Sequence, residues 1–76
     1  MPNTTSLDRF TSPLGGEEIE LQTLTHDAGG LTLLRVRIRE KRRFTVVDID
    51  PLTARRFAEA MLRYADAHGA SRPVSG

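Results

Sequence analysis

The sequence predicts a small α+β domain in which a three-stranded antiparallel β-meander carries one C-terminal α-helix on one face, a β-β-β-α unit. Two observations predict this fold. Arginine alternates with aliphatic residues from Leu34 to Arg39, which is typical of a half-buried strand. Asp50 and Pro51 then precede apolar residues spaced three and four apart, which is typical of an amphipathic helix.

The tails of the chain are predicted from composition. Residues 1–16 are rich in Asn, Thr, Ser, Pro and Gly, which favour turns and disorder. We therefore expect a flexible N-terminal tail over 1–16, a single domain over 17–69 and a flexible C-terminal tail over 70–76. Docking of Leu7, Phe10 and Leu14 on the domain is an open alternative to a mobile tail.

The strands follow from alternation and from the turn residues between them. The turn over 26–30 ends in two glycines, and the turn over 40–43 is charged. Short connections favour antiparallel neighbours, so the strand order is that of the sequence. The predicted strands are Glu18–Thr25, Leu31–Arg39 and Phe44–Ile49.

The helix has clear signals at both ends. Asp50 can accept hydrogen bonds from the first free amides, and Pro51 suits the first helical position. Thr53 is a competing N-cap, and Gly69 suits the position after the last turn. The apolar stripe comprises Ala54, Phe57, Ala58, Met61, Leu62 and Ala65. We expect it to cover a sheet face formed by Ile19, Leu21, Leu34, Val36, Ile38, Val47 and Ile49.

Charge is distributed unevenly along a chain whose net charge is only +1. Residues 1–30 sum to −4 and residues 31–56 to +5. Cross-strand ion pairs explain this asymmetry without a ligand. With turns centred on 27–28 and on 41–42, Glu20 and Asp48 flank Arg35, and Glu18 faces Arg37.

The sheet face that the helix leaves open is the predicted interaction surface, because it combines apolar side chains with arginine. Its residues are Leu33, Arg35, Arg37, Arg39, Arg42, Arg43, Phe44 and Val46. A chain of 76 residues without cysteine builds a marginal core. We therefore expect a non-catalytic protein-interaction module that forms a homodimer, by pairing strand edges or stacking open faces, and that could also bind an unidentified protein.

Nucleic-acid binding through Arg35–Phe44 is the second hypothesis. Six positive charges in nine positions could contact phosphates, and Phe44 could stack on a base. The facing glutamates and the sequence pI of about 8.4 argue against it.

Enzymatic and metal-dependent functions are not expected. His26 is predicted in a turn beside Asp27, and His68 in the last helical turn, so neither belongs to a set of three or four ligands. We predict no catalytic residue, no cofactor and no metal. With no apolar run of membrane-spanning length and no signal-like N-terminus, we expect no membrane association and a cytoplasmic location.

Two segments resemble small uncharacterised bacterial proteins in which an arginine-rich hairpin precedes an alanine-rich helix with an Asp-Pro cap. Residues 37–45 read RIREKRRFT and residues 48–54 read DIDPLTA. The resemblance implies the same meander and helix and no established activity, so no functional residue is carried over from it.

Overall fold

The computed structural model describes residues 3–25 and 30–69. An antiparallel sheet of four strands in the order β1-β2-β3-β4 precedes one helix. The α+β class and the C-terminal helix are thus confirmed. The elements are β1 (Asn3–Thr11), β2 (Glu18–Thr25), β3 (Thr32–Glu40), β4 (Arg43–Ile49) and α1 (Pro51–Ala67).

The prediction of three strands is wrong, because β1 forms from residues that the composition assigned to a tail. β1 pairs with β2 along its length, with one irregularity between Ser6 and Asp8 that leaves Leu7 without a register partner. Every residue of β1 is exposed. An edge strand with so little burial needs no hydrophobic alternation, and therefore lacks the pattern by which strands are recognised.

Turn-forming residues close the β1–β2 hairpin within the segment that the composition had assigned to a flexible tail. The Ser12 backbone N–H donates to the Glu17 carbonyl at 2.8 Å, and the Gly16 N–H donates to the Ser12 carbonyl at 2.9 Å. Gly16 has a φ of 74°, a conformation that glycine adopts without steric cost.

The register of β2 against β3 differs from the prediction by two residues. Glu18 faces Arg39 and Glu20 faces Arg37, whereas the predicted partners were Arg37 and Arg35. A shift of two keeps every side chain on its expected face. The predicted turn centre falls among residues 26–29, which lie outside the described residues, as does His26.

The β3–β4 hairpin has the predicted register. Arg35 faces Asp48, and Glu40 faces Arg43, so that Lys41 and Arg42 form the turn. Lys41 has a φ of 55°, in the left-handed region that disfavours residues with a Cβ.

The predicted N-cap is confirmed. An Asp50 carboxylate oxygen accepts from the Leu52 and Thr53 backbone amides, at 3.1 Å each, and Pro51 occupies the first turn. Thr53 is not the cap but supports it, since its hydroxyl donates to the other Asp50 oxygen at 2.5 Å. At the other end His68 is the C-cap residue, and Gly69 follows with a φ of 85°.

The helix does not cover a face of the sheet. It approaches β3 more closely than the other strands, but none of its residues is buried. Val46 and Val47, adjacent residues on opposite faces of β4, are 50% and 47% exposed, so α1 shields neither. Leu24, 3% exposed, is the only buried residue among those described. The expectation of a helix packed on one face therefore does not hold within a single chain.

Candidate interaction surfaces

Register and alternation divide the sheet into two faces of different chemistry. The apolar sheet face comprises Phe10, Ile19, Leu21, Leu34, Val36, Ile38, Val47 and Ile49. The charged sheet face comprises Arg9, Glu18, Glu20, Leu24, Leu33, Arg35, Arg37, Arg39, Phe44, Val46 and Asp48. Successive residues of a strand point to opposite sides, so each strand contributes to both surfaces.

The shortest ion pair on the charged sheet face joins β3 to β4. Arg35 Nε donates to Asp48 Oδ1 at 2.8 Å, and Arg35 Nη2 donates to Asp48 Oδ2 at 3.0 Å. This forked geometry is specific to a guanidinium and a carboxylate. The hydrogen bonds that Arg35 donates to Asp48 raise the pKa of Arg35 above its usual value. Arg35 is therefore engaged within the sheet.

Three further ion pairs connect β1 and β3 through the carboxylates of β2. Together with the Arg35–Asp48 pair they form the ion-pair ladder of the charged sheet face. Arg37 Nη1 lies 3.3 Å from Glu20 Oε1, and Glu18 lies between Arg9, at 3.3 Å, and Arg39, at 3.9 Å. β1 thus supplies a cation that the three-stranded prediction lacked. Each carboxylate neutralises part of the arginine row, as the sequence analysis expected.

Glu20 is also held in its ionised form by its neighbours. A hydrogen bond from the Ser6 side chain is the main cause that lowers the pKa of Glu20, with contributions from Arg9, Gln22 and Arg37. Two of these groups, Ser6 and Arg9, belong to β1. The first strand therefore completes the electrostatic environment of the charged sheet face.

An exposed aromatic side chain, Phe44, lies beside this ladder on β4. The Arg37 guanidinium carbon is 5.5 Å from the centre of the Phe44 ring, within the range of a cation–π contact. Phe44 is 56% exposed. With Arg9, Glu18, Glu20 and Arg39, these two residues line a shallow groove of about 110 Å³.

The residues of the predicted interaction surface separate into two groups. The structure brings Arg35, Arg37, Arg39, Phe44 and Val46 together on the charged sheet face, as expected. Leu33 also alternates to this face, but it is half-buried opposite Leu24.

The other two predicted residues lie elsewhere. Arg42 is in the β3–β4 turn, and Arg43 faces Glu40, a register pair that alternates to the apolar side of the sheet. Among the described residues, no ion pair involves Arg42, Arg43 or Lys41.

A second surface was not foreseen from the sequence, which assigned the helical stripe to a core. Phe57, Met61 and Leu62 are 55%, 60% and 62% exposed. Ala54 and Ala65 lie along the midline of the stripe. They are the only half-buried residues among those described in α1. An amphipathic pattern shows which side of a helix is covered, but it cannot show whether the cover belongs to the same chain.

Two further titratable side chains with defined hydrogen bonds, Asp50 and His68, lie at the ends of α1. Asp50 is held ionised as the cap, since hydrogen bonds from the Thr53 side chain and then its backbone lower the pKa of Asp50. His68 Nδ1 lies 2.8 Å from the Tyr64 carbonyl, and its ring stacks on that of Tyr64 at 4.5 Å. His68 is thus placed at the helix end, as predicted. Within residues 3–25 and 30–69, no three His, Asp or Glu side chains are grouped so as to hold a metal ion.

Comparison with known proteins gives a family but no activity. A model described as a family of unknown function, DUF6967, matches residues 1–67, so the chain belongs to this family. The resemblance to an uncharacterised family is thereby confirmed. No curated protein and no solved structure matches the chain. In the part of the chain that the structure describes, no helix has the length and apolar character needed to cross a membrane.

Proposed function

We propose that this member of the DUF6967 family is a non-catalytic protein-interaction module that works as a homodimer. The observation that carries the proposal is the exposure of the large side chains on the apolar side of α1, Phe57, Met61 and Leu62. None of the 17 helical residues is buried, although the stripe has the spacing of a core-facing helix.

Most helix stability in proteins comes from packing of the apolar side rather than from helix propensity. Fully covering a side chain such as Phe57, Met61 or Leu62 contributes about 1.5–3 kcal/mol each. Because the single chain supplies no such cover, a second chain is the simplest source of the missing burial.

The sheet has the same shortage of burial. The side chains of Phe10 and Val47 on the apolar sheet face are each 47% exposed, and a domain of this size already buries little of its surface. From the sequence we expected self-association by pairing of strand edges or by stacking of the charged sheet faces. We assign self-association to the apolar surfaces instead, which leaves the charged sheet face available to another protein.

The experiment is a measurement of molar mass by sedimentation equilibrium, together with thermal unfolding over a wide range of protein concentration. A homodimer has twice the chain mass, and its melting temperature rises with concentration by mass action. A chain that stays monomeric, with a melting temperature independent of concentration, would refute the proposal.

Nucleic-acid binding stays the second candidate, because Lys41, Arg42 and Arg43 are exposed and lie outside the ion-pair ladder. Titration of the isotope-labelled protein with a short single strand and a duplex tests it. Amide shifts confined to the β3–β4 turn that weaken steeply with salt support this candidate, since released counterions make phosphate contacts salt-dependent. Unchanged spectra at low salt rule it out.

A further inference from the structure

We infer that the helix α1 of each copy packs across the apolar sheet face of a second copy, so that two chains exchange their helices. This inference rests on the proposed homodimer and specifies how the dimer is built. It joins two surfaces that the single chain leaves uncovered, the apolar stripe of α1 and the apolar sheet face.

The connection between β4 and α1 is the first reason for exchange. Asp50 alone separates Ile49, the last residue of β4, from Pro51, the first of α1. Connections between a strand and a helix that folds back on its sheet usually contain about 2–6 residues. One residue leaves little chain with which to reverse direction.

That single residue is also held in place. Asp50 has an extended backbone, with φ −77° and ψ 165°, and its carboxylate accepts hydrogen bonds from the Leu52 and Thr53 amides. The ring of Pro51 restricts the next φ to about −65°. The cap therefore fixes the direction in which α1 leaves the sheet, and short, constrained hinges of this kind favour exchange between copies.

The two surfaces match in length. A helix of 17 residues is about 25 Å long, from a rise of about 1.5 Å per residue. Strands β3 and β4 have 9 and 7 residues, and at about 3.4 Å per residue they extend about 24–31 Å. The whole stripe can therefore lie over the sheet, with neither end of α1 extending beyond the strands.

The two surfaces also match in chemistry. The stripe carries Phe57, Met61 and Leu62, and its centre is formed by alanines that permit close approach to a sheet. The apolar sheet face presents Val36, Ile38 and similar side chains, and its central residues are half-buried rather than buried. The charged sheet face offers the stripe no such match, because its arginines would lose water on contact.

The contact area reaches the minimum expected of a biological interface. A helix about 25 Å long and about 10 Å wide covers about 250 Å² of a sheet. Two reciprocal contacts, counted on both partners, remove about 1,000 Å² from water, which meets the minimum of about 1,000 Å² expected of a biological interface. A helix packed on its own sheet would remove the same area per chain, so the preference for exchange rests on the short connection at Asp50.

The second copy is preferred to a foreign partner because one chain supplies both complementary surfaces. An exchange by two-fold symmetry then satisfies both surfaces in both copies at once, and the interface closes without leaving a free helix.

The test is an isotope-filtered NOE experiment on an equal mixture of ¹³C-labelled and unlabelled wild-type chains, refolded together. It selects contacts between chains. The expected result is a set of cross-peaks between the Phe57 ring of one chain and the Val36, Ile38 or Val47 methyl groups of the other. A sample of labelled chains alone, which must give no such peaks, is the control.

The other outcomes separate the inference from the proposed function. A dimeric mass with helix-to-sheet contacts found only within each chain, or with filtered peaks only between charged sheet faces, overturns the helix exchange and leaves the homodimer intact. A monomeric mass in the same sample overturns both. Because the wild-type chain is used, failure of a variant to fold cannot obscure the result.

Discussion

Val46 and Val47 are neighbours in β4 that point to opposite faces of the sheet and are almost equally exposed, at 50% and 47%. Val46 stands opposite Arg37 on the charged sheet face, and Val47 stands opposite Val36 on the apolar sheet face. The pair therefore reports separately on the two candidate surfaces, with the same residue type, strand and exposure.

Val47→Asp should disrupt the dimer, and Val46→Asp should not. In the exchanged dimer the new carboxylate at 47 would be buried without a partner in both copies, which is costly. We expect the dissociation constant to rise at least about a hundredfold, equivalent to about 2.8 kcal/mol. Sedimentation equilibrium of both variants checks this, with circular dichroism to confirm that the sheet persists. The reverse order of effects would place self-association on the charged sheet face.

Met61→Gln should weaken self-association, whereas Glu59→Gln, on the opposite side of α1, should leave it unchanged. Both variants introduce the same residue, which has good helix propensity, but only the first removes an apolar side chain from the stripe. With about 1.5–3 kcal/mol lost per copy, the dissociation constant should rise more than tenfold. Equal melting temperatures of the two variants at every concentration would contradict the role of the stripe.

Lys41→Gly should stabilise the protein. Lys41 has a φ of 55°, and a left-handed conformation costs a residue with a Cβ about 1 kcal/mol or more relative to glycine. We expect the melting temperature to rise by about 4–8 °C. Arg42→Gly is the matched control, since Arg42 in the same turn has no positive φ and should lose stability from added chain entropy. Equal shifts for the two variants in thermal unfolding would show that the turn is unstrained.

Asp50→Ala should lower the melting temperature by several degrees, and Asp50→Asn by less, because asparagine is also a good N-cap. The folded-state pKa of Asp50 is lowered by its hydrogen bonds to Thr53, so its stabilising effect is present above the unfolded pKa. That effect is lost as the pH falls through the folded pKa. Thermal unfolding from neutral to acidic pH should therefore show a smaller decline for Asp50→Asn than for the wild type. Parallel curves would exclude a contribution from the charged cap.

The Arg35–Asp48 pair should be coupled only weakly, and the coupling should decrease with salt. Both side chains are about one-third exposed, and pairs at the surface contribute little. A double-mutant cycle of Arg35→Gln and Asp48→Asn, measured by thermal unfolding, should give a coupling that shrinks at about 1 M NaCl, where the Debye length is about 3 Å. A coupling insensitive to salt would indicate that the pair becomes buried in the assembled protein.

Local patterns were sufficient for β2, β3, β4 and the start of α1, because each of these has a signal within a few residues. The alternation of Arg35 and Arg37 with Val36 and Ile38 marks a strand, and Asp50 with Pro51 marks a helix start. β1 was not predicted, because its strand conformation depends on hydrogen bonding to β2 and not on an apolar pattern of its own. The two-residue error in register arose because the length of a glycine turn is not specified by the alternation of its flanking strands.

The sequence by itself determined which residues share a face, because side-chain period follows directly from helix and strand geometry. It also determined the cap of α1 and the opposition of acidic and basic strands. Only the tertiary structure decided that β1 completes the sheet, that Glu20 lies across from Arg37, and that the stripe of α1 stays uncovered. Hydrophobic burial depends on area removed from water and not on which chain removes it. An apolar stripe therefore predicts a cover but does not specify which chain supplies it.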